Sequence, residues 1–329
     1  MRSKLRIFAV ISAIVTLGIS LQGLAADGDG YPNRPVKLVV PYPPGGAPDV
    51  AARMLGGKLS ELSGQTFLVE NRSGAGGNIG AEFVAKSAPD GYVLLFSTDP
   101  PITINGNFVA NLGYDPIKDF APVSLVATLS FILLATPSLP ANSVQELITL
   151  AKANPGKFNF ASSGTGTQMH LAGEMLNTRA GVQIVHVPYK GFSAGVIDVM
   201  SGKVEITFAS VSAAASLVKS GKLKALAITS SKRSEVMPQV PTLVESGLPG
   251  FELYGWAGLL SPARTPRPII DKLRNQLTRV LQSQGVAGQF AAVGMELSPS
   301  GPEEFAERIV SETRMWARLI KDLGIKSNN

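Results

Sequence analysis

A chain of 329 residues, 45% apolar and 16% charged, is long enough for about two domains and too apolar for a disordered protein. It has no cysteine, which excludes disulfides, thiolate catalysis and most structural zinc sites. The formal net charge is +6; setting aside three basic residues at the N-terminus leaves 27 basic against 24 acidic, or +3, with no dense Lys/Arg run, so nucleic acid is not an expected partner.

Those three residues, Arg2, Lys4 and Arg6, precede an apolar run of 15 residues, 7–21, and the small residues Gly23, Ala25 and Ala26. This is the pattern of a secretory signal peptide. The run is shorter than the ~20 residues of a membrane span, so cleavage is expected near Ala25 or Ala26, releasing an exported protein.

Strand and helix patterns then alternate. Strands are expected at 36–42, 66–70 and 92–97, with helices at 49–62 and 79–87, followed by an irregular stretch at 98–119. Further strands are expected at 131–136, 158–162, 183–187, 204–209 and 223–229. Helices are expected at 143–153 (capped by Asn142 or Ser143), 168–177, 194–201 and 212–219. Such repetition predicts an α/β protein of mostly parallel sheets flanked by helices. Near the C-terminus Pro268 opens a helix carrying Ile270, Leu273, Leu277 and Leu281, which Gly285 is expected to close. Pro302, Glu303 and Glu304 open another carrying Phe305, Ile309, Trp316, Leu319 and Leu323, closed by Gly324. Trp316 is expected in the core.

Three turns between strand and helix are rich in glycine: PYPPGGAPD at 41–49, NRSGAGGN at 71–78 and SSGTGTQ at 162–168. Such turns bare backbone N–H groups at a helix N-terminus, where the helix dipole also favours an anion. At the C-terminal ends of parallel strands, they stand where open α/β sheets bind ligands. Phosphate cofactors are not favoured. Gly74, Gly76 and Gly80 are spaced one residue too widely for a dinucleotide fingerprint, and no Gly-Lys pair sits in a Walker frame. A carboxylate uses the same donors.

GFSAG at 191–195 matches the nucleophile elbow of serine hydrolases, making an exported hydrolase using Ser193 the alternative reading. However, the only two histidines, His170 and His186, both precede Ser193, whereas that fold places its histidine after the serine. Two histidines 16 residues apart also make no metal-binding pattern. No cofactor, metal or catalytic residue is expected.

The segments VVPYPPGGAPDVAAR, ENRSGAGGNIGAEFVAKSAPDGY, NFASSGTGTQMHLAGE, HVPYKG, LKALAITSSKRS and VPTLVESGLPGFE, in this order, resemble the Bug/TctC-type substrate-binding proteins of tripartite tricarboxylate transporters. The resemblance implies a two-domain periplasmic-binding-protein (Venus flytrap) fold. Residues 27–126 plus 230–329 would form one domain and 127–229 the other, with a small carboxylate, typically a dicarboxylate, aliphatic or aromatic, in the cleft. It also implies a periplasmic monomer that delivers its ligand to membrane permease subunits, or to a sensor receptor. The candidate ligand-binding residues are Tyr42, Gly45, Gly46, Ala47, Pro48, Asp49, Gly76 and Thr98 on one side. On the other they are Ser163, Gly164, Thr165, Gly166, Thr167, Ala209 and Ser210. The chain departs from the family pattern at Pro48 (usually Thr or Ser), at Ser73 (often Pro) and at Ala209-Ser210 (usually Asp-Asn). Asp49 is open to two readings, a helix-start acid or a ligand contact. Tyr42, His170 and Lys190 divide similarly between packing or solvation and binding.

Overall fold

The computed structural model describes residues 30–109, 111–322 and 324; the expected signal peptide, its cleavage site and Leu323 lie outside them. The first alternation forms β1 (Val36–Val40), α1 (Ala47–Ser63), β2 (Phe67–Asn71), α2 (Asn78–Ala85) and β3 (Val93–Thr98). β1 is parallel to β2 and β3. The irregular stretch after β3 holds a π-helical turn, Pro100–Ile104, and a 3-10 turn, Asn105–Asn107.

β4 (Phe120–Ala135) begins eleven residues before the expected strand. Pro122, Ser124, Thr128 and Ser130 give its first part the look of a loop. Register irregularities next to Pro122 and Leu125 absorb the misfit, and the Ser124 hydroxyl finds a carbonyl partner at Ser300, 2.8 Å away. The first part of β4 is antiparallel to β9 (Tyr254–Pro262). No strand is expected at β9 from sequence, because its glycines and terminal proline read as breakers; yet it is a central strand, paired also with β3 and buried almost throughout.

The second alternation is α3 (Val144–Ala153), β5 (Asn159–Ser162), α4 (Gln168–Ala180), β6 (Val185–Pro188), α5 (Phe192–Met200), β7 (Ile206–Ser210), α6 (Val211–Lys219) and β8 (Lys224–Ile228). Ser143 is the cap of α3, its hydroxyl accepting from Glu146 N. β5 is parallel to β6 and β7, and the second part of β4 is antiparallel to β7 and β8. The sheet order is β2-β1-β3-β9-β4-β7-β5-β6, with β8 and the short β10 (Glu296–Leu297) also on β4. Two parallel α/β units are thus joined through antiparallel strands at the centre.

α7 (Arg267–Leu281) buries the four apolar residues expected of it. Gly285 does not close it; α7 stops at Leu281, and Gly285, with φ +82°, instead caps the start of α8 (Val286–Ala292). α9 (Pro302–Asp322) follows, with Trp316 2% exposed in the core as expected.

Packing divides the chain differently from the expected boundaries. Leu38, Leu94, Leu273 and Leu277 belong to the core of the first unit, and Leu133, Phe160, Leu171 and Phe208 to that of the second. Each such burial contributes about 2 kcal/mol. The segment after β8, expected in the first unit from residue 230, instead packs into the second through Met237 and Val240 and through Leu243, Leu248 and Phe251. It has little regular structure, so hydrophobic periodicity could not assign it. α9 serves both units: Phe305 and Ile309 pack beside Trp256 and Leu260, whereas Trp316 and Ile320 join the core of the second unit.

Candidate functional site

Where the units face each other, a cavity of about 420 Å³ opens between the turns that follow β1, β2 and β3 and the turn that follows β5. Seven of the candidate residues line it. Tyr42, Gly76 and Thr98 come from the first unit, and Ser163, Thr165, Gly166 and Thr167 from the second. The Tyr42 hydroxyl and Thr98 Oγ1 share a hydrogen bond of 2.6 Å, and burial pushes the Tyr42 phenol above its ordinary range.

Gly45, Gly46, Ala47, Pro48 and Asp49 stand at the entrance to α1 and do not line this cavity. Gly46 is the N-cap and Pro48 lies in the first turn, where a missing N–H costs no helical hydrogen bond. Asp49 is 2% exposed. It accepts from Gly45 N (2.9 Å), Arg53 Nε (3.0 Å) and Asn71 Nδ2 (2.8 Å). Burial works to raise its pKa, but the hydrogen bonds from Arg53, Gly45 and Asn71 together outweigh it and hold the carboxyl below its usual range. Asp49 therefore ties the first turn to β2. Asp49→Ala is expected to cost about 2 kcal/mol by stranding these donors, read as a lower urea midpoint; an unchanged midpoint would remove this role.

The turn after β5 rests on histidine. Ser162 Oγ lies 2.6 Å from His186 Nε2, and Gly166 N donates to His170 Nδ1 at 3.0 Å. The two imidazoles stack with centroids 3.8 Å apart, and His186 stacks in turn on Phe160. Burial pushes both down to about 4, so both are neutral at neutral pH, and His170 Nδ1 is free to accept. Thr167 caps α4, accepting from His170 N, and its hydroxyl donates to Gly164 O at 2.7 Å. Gly164 does not line the cavity, nor do Ala209 and Ser210; Ser210 caps α6 instead.

Neither imidazole serves Ser193. Ser193 lies exposed near the start of α5, and among the described residues no hydrogen bond joins it to a histidine. Ser162 does meet His186 but is only 2% exposed. Lys190 is exposed and does not line the cavity. Among the described residues no group of three or more His, Asp or Glu could hold a metal ion.

Six lining residues were not anticipated: Pro100, Asn105, Phe108, Phe131, Gln168 and Met169. Three of them sit in the irregular stretch after β3, whose run of Pro, Asn and Gly marks an ordered turn but gives no periodicity. Asn105 Nδ2 pins this turn to the glycine loop through Gly76 O (3.1 Å) and Asn78 Oδ1 (2.7 Å). Phe108, Phe131 and Met169 give the cavity apolar walls, and no Lys, Arg, Asp or Glu lines it. Its charge-selecting features are therefore backbone amides, hydroxyls and the N-terminus of α4.

Comparison with known proteins points in one direction. Residues 51–325 match the family described as the tripartite tricarboxylate transporter family receptor. Protein BugT of Bordetella pertussis is 38% identical over 317 residues, covering 95% of this chain and 97% of its own length. The structure of Rpa4515 from R. palustris with adipate is similar at a TM-score of 0.77 and 35% identity, over 90% of this chain and 99% of that one. The periplasmic binding protein BugD is similar at a TM-score of 0.74 and 34% identity, over 90% and 99% of the two chains.

Proposed function

The chain belongs to the tripartite tricarboxylate transporter receptor family, a family of periplasmic substrate-binding proteins rather than enzymes, and we propose that it captures a small carboxylate in the cleft between its two domains and delivers it to the membrane permease subunits of such a transporter. The observation that carries the reading is the cavity itself. Turns with amides and hydroxyls meet there from both domains around a space with apolar walls and no charged side chain. A carboxylate can be held there by neutral donors and the dipole of α4, because each hydrogen bond to a charged group strengthens as water is excluded. The apolar walls suit a ligand whose body is hydrocarbon, as in the adipate bound by Rpa4515. Ligand capture follows from closure of the two domains, a hinge motion. The signal-peptide pattern at the N-terminus and the likeness to the periplasmic binding protein BugD support a binding step in the periplasm; among the described residues no helix is long and apolar enough to cross a membrane.

A thermal-shift screen tests the reading. Adipate, or an aromatic carboxylate of similar length, at a hundred times its Kd is expected to stabilise the protein by about 2.7 kcal/mol. Polyhydroxylated neutral sugars and organic cations are expected to do nothing. Stabilisation by the sugars or cations alone would overturn it.

A further inference from the structure

Asp99 follows β3 and is 1% exposed, yet it does not line the cavity. Its carboxylate reaches across the cleft: Gln168 Nε2, at the start of α4 in the second domain, donates to Asp99 Oδ2 at 2.6 Å, while Trp256 N on β9 donates to Oδ1 at 3.3 Å. Gly255 leaves room for the pair. A Cβ there would stand 2.8 Å from Gln168 Nε2 and 3.3 Å from Asp99 Oδ1, so any side chain would push the amide away.

We propose that Asp99 and Gln168 are the positioning pair that latches the cleft shut, and that Asp99 takes up a proton from water as the latch forms, coupling ligand capture to proton uptake. This rests on the reading of the cleft as a carboxylate site. The charges around the latch are unbalanced. From α9, Glu312 and Arg308 face Asp99; from the turn after β1, the Tyr42 phenol; from β9 and α4, only neutral amides. Arg308 is already paired with Glu312 at 2.7 Å, and Glu312 also accepts from Trp256 Nε1 at 2.7 Å. Arg308 is thereby committed to Glu312, no cation pairs with Asp99 among the described residues, and a proton supplies the missing positive charge. Burial first and Glu312 second push Asp99 up to about 8. Opening the cleft would return water to the carboxyl and its pKa towards the ordinary 3.8. The protonated carboxyl keeps lone pairs on both oxygens, so neither donor is lost.

The sign follows from the two states. Between the open and closed pKa values the closed form binds more protons, so affinity rises as pH falls, by up to about tenfold per pH unit. Calorimetric titration of adipate near pH 7, in buffers of different ionisation enthalpy, is expected to show about one proton taken up per adipate bound. Asp99→Asn keeps an acceptor for Gln168 and is expected to bind adipate without proton uptake and with affinity flat between about pH 6.5 and 8. Should that variant not fold, Gly255→Ala displaces the amide while keeping both partners, and is expected to weaken binding and diminish the uptake. Binding without uptake in the wild type, or undiminished uptake in Asp99→Asn, overturns the latch. If adipate binds neither the wild type nor the variants, the functional reading is decided by the thermal-shift screen, and the latch is read separately from Trp256 fluorescence in a Trp316→Phe background. A transition near pH 8 that Asp99→Asn abolishes supports it, and a flat response from pH 6 to 9 overturns it.

Discussion

Gly166→Val is expected to weaken carboxylate binding at least a hundredfold while leaving the domains folded. Gly166 holds φ at +80°, a region that costs a β-branched residue on the order of 2 kcal/mol. A Cβ there would also lie 3.0 Å from Phe108 Cε2 and 3.1 Å from Cζ. Phe108, from the stretch after β3, lines the same cavity, so the valine methyls would push its ring out of place and reshape the cavity wall. Relief by backbone movement would break the Gly166 N–His170 Nδ1 bond that seats the turn. The matched control is Gly156→Ala, where φ is +73° and no atom lies within 4 Å of the added Cβ. It carries backbone strain of the same kind away from the cavity, and is expected to lower stability slightly with binding unchanged. Calorimetry with adipate on both variants checks the pair. If Gly166→Val binds as the wild type does, this turn does not close on the ligand.

The features legible in the sequence are those set by local chemistry. Ser143 before α3 is the side-chain cap expected there, and the glycine turns after β1, β2 and β5 stand where strand gives way to helix. The features that were not legible are those set by tertiary context. β9 and the first part of β4 form the middle of the sheet, where both faces are covered and alternation vanishes. Their Gly, Pro and Ser are tolerated because neighbouring chains supply hydrogen bonds and fill space, which no local pattern records. Half of the cavity wall shares this origin. Phe131 looks like an ordinary strand residue and Met169 like an ordinary helix residue until the two domains face each other. Asp99 shows the same limit: the residue beside it, Thr98, was expected at the site, but only the fold brings Gln168 to Asp99.

The histidine stack beneath the second turn is expected to make the protein acid-labile. His170 is 4% exposed, and burial holds its pKa at about 4 against an ordinary 6.5. A buried base with a depressed pKa is fully compatible with the folded state only above the unfolded value. Stability is therefore complete above about pH 6.5, falls as the unfolded chain gains protons, and has lost on the order of 3 kcal/mol through His170 alone by pH 4. Protonation also has a local consequence. Nδ1 accepts from Gly166 N, so an added proton sets donor against donor and releases the turn, and the stacked rings 3.8 Å apart oppose a second charge. His170→Gln offers a neutral acceptor and is expected to remove this part of the pH dependence. Urea midpoints of both proteins between pH 7.5 and 4.5 check it, the difference isolating His170 from carboxyls that titrate in the same range. Parallel profiles for the two proteins would remove the histidine from the account. The stack seats the turn after β5, the Asp99 latch holds Gln168 at the start of α4, and the two respond to protons with opposite sign. A proton on Asp99 draws the cleft closed as pH falls through 8, and a proton on His170 loosens the turn at lower pH. Affinity for adipate should therefore pass through a maximum in the mildly acidic range, with Asp99→Asn flattening only the alkaline limb and His170→Gln only the acid one.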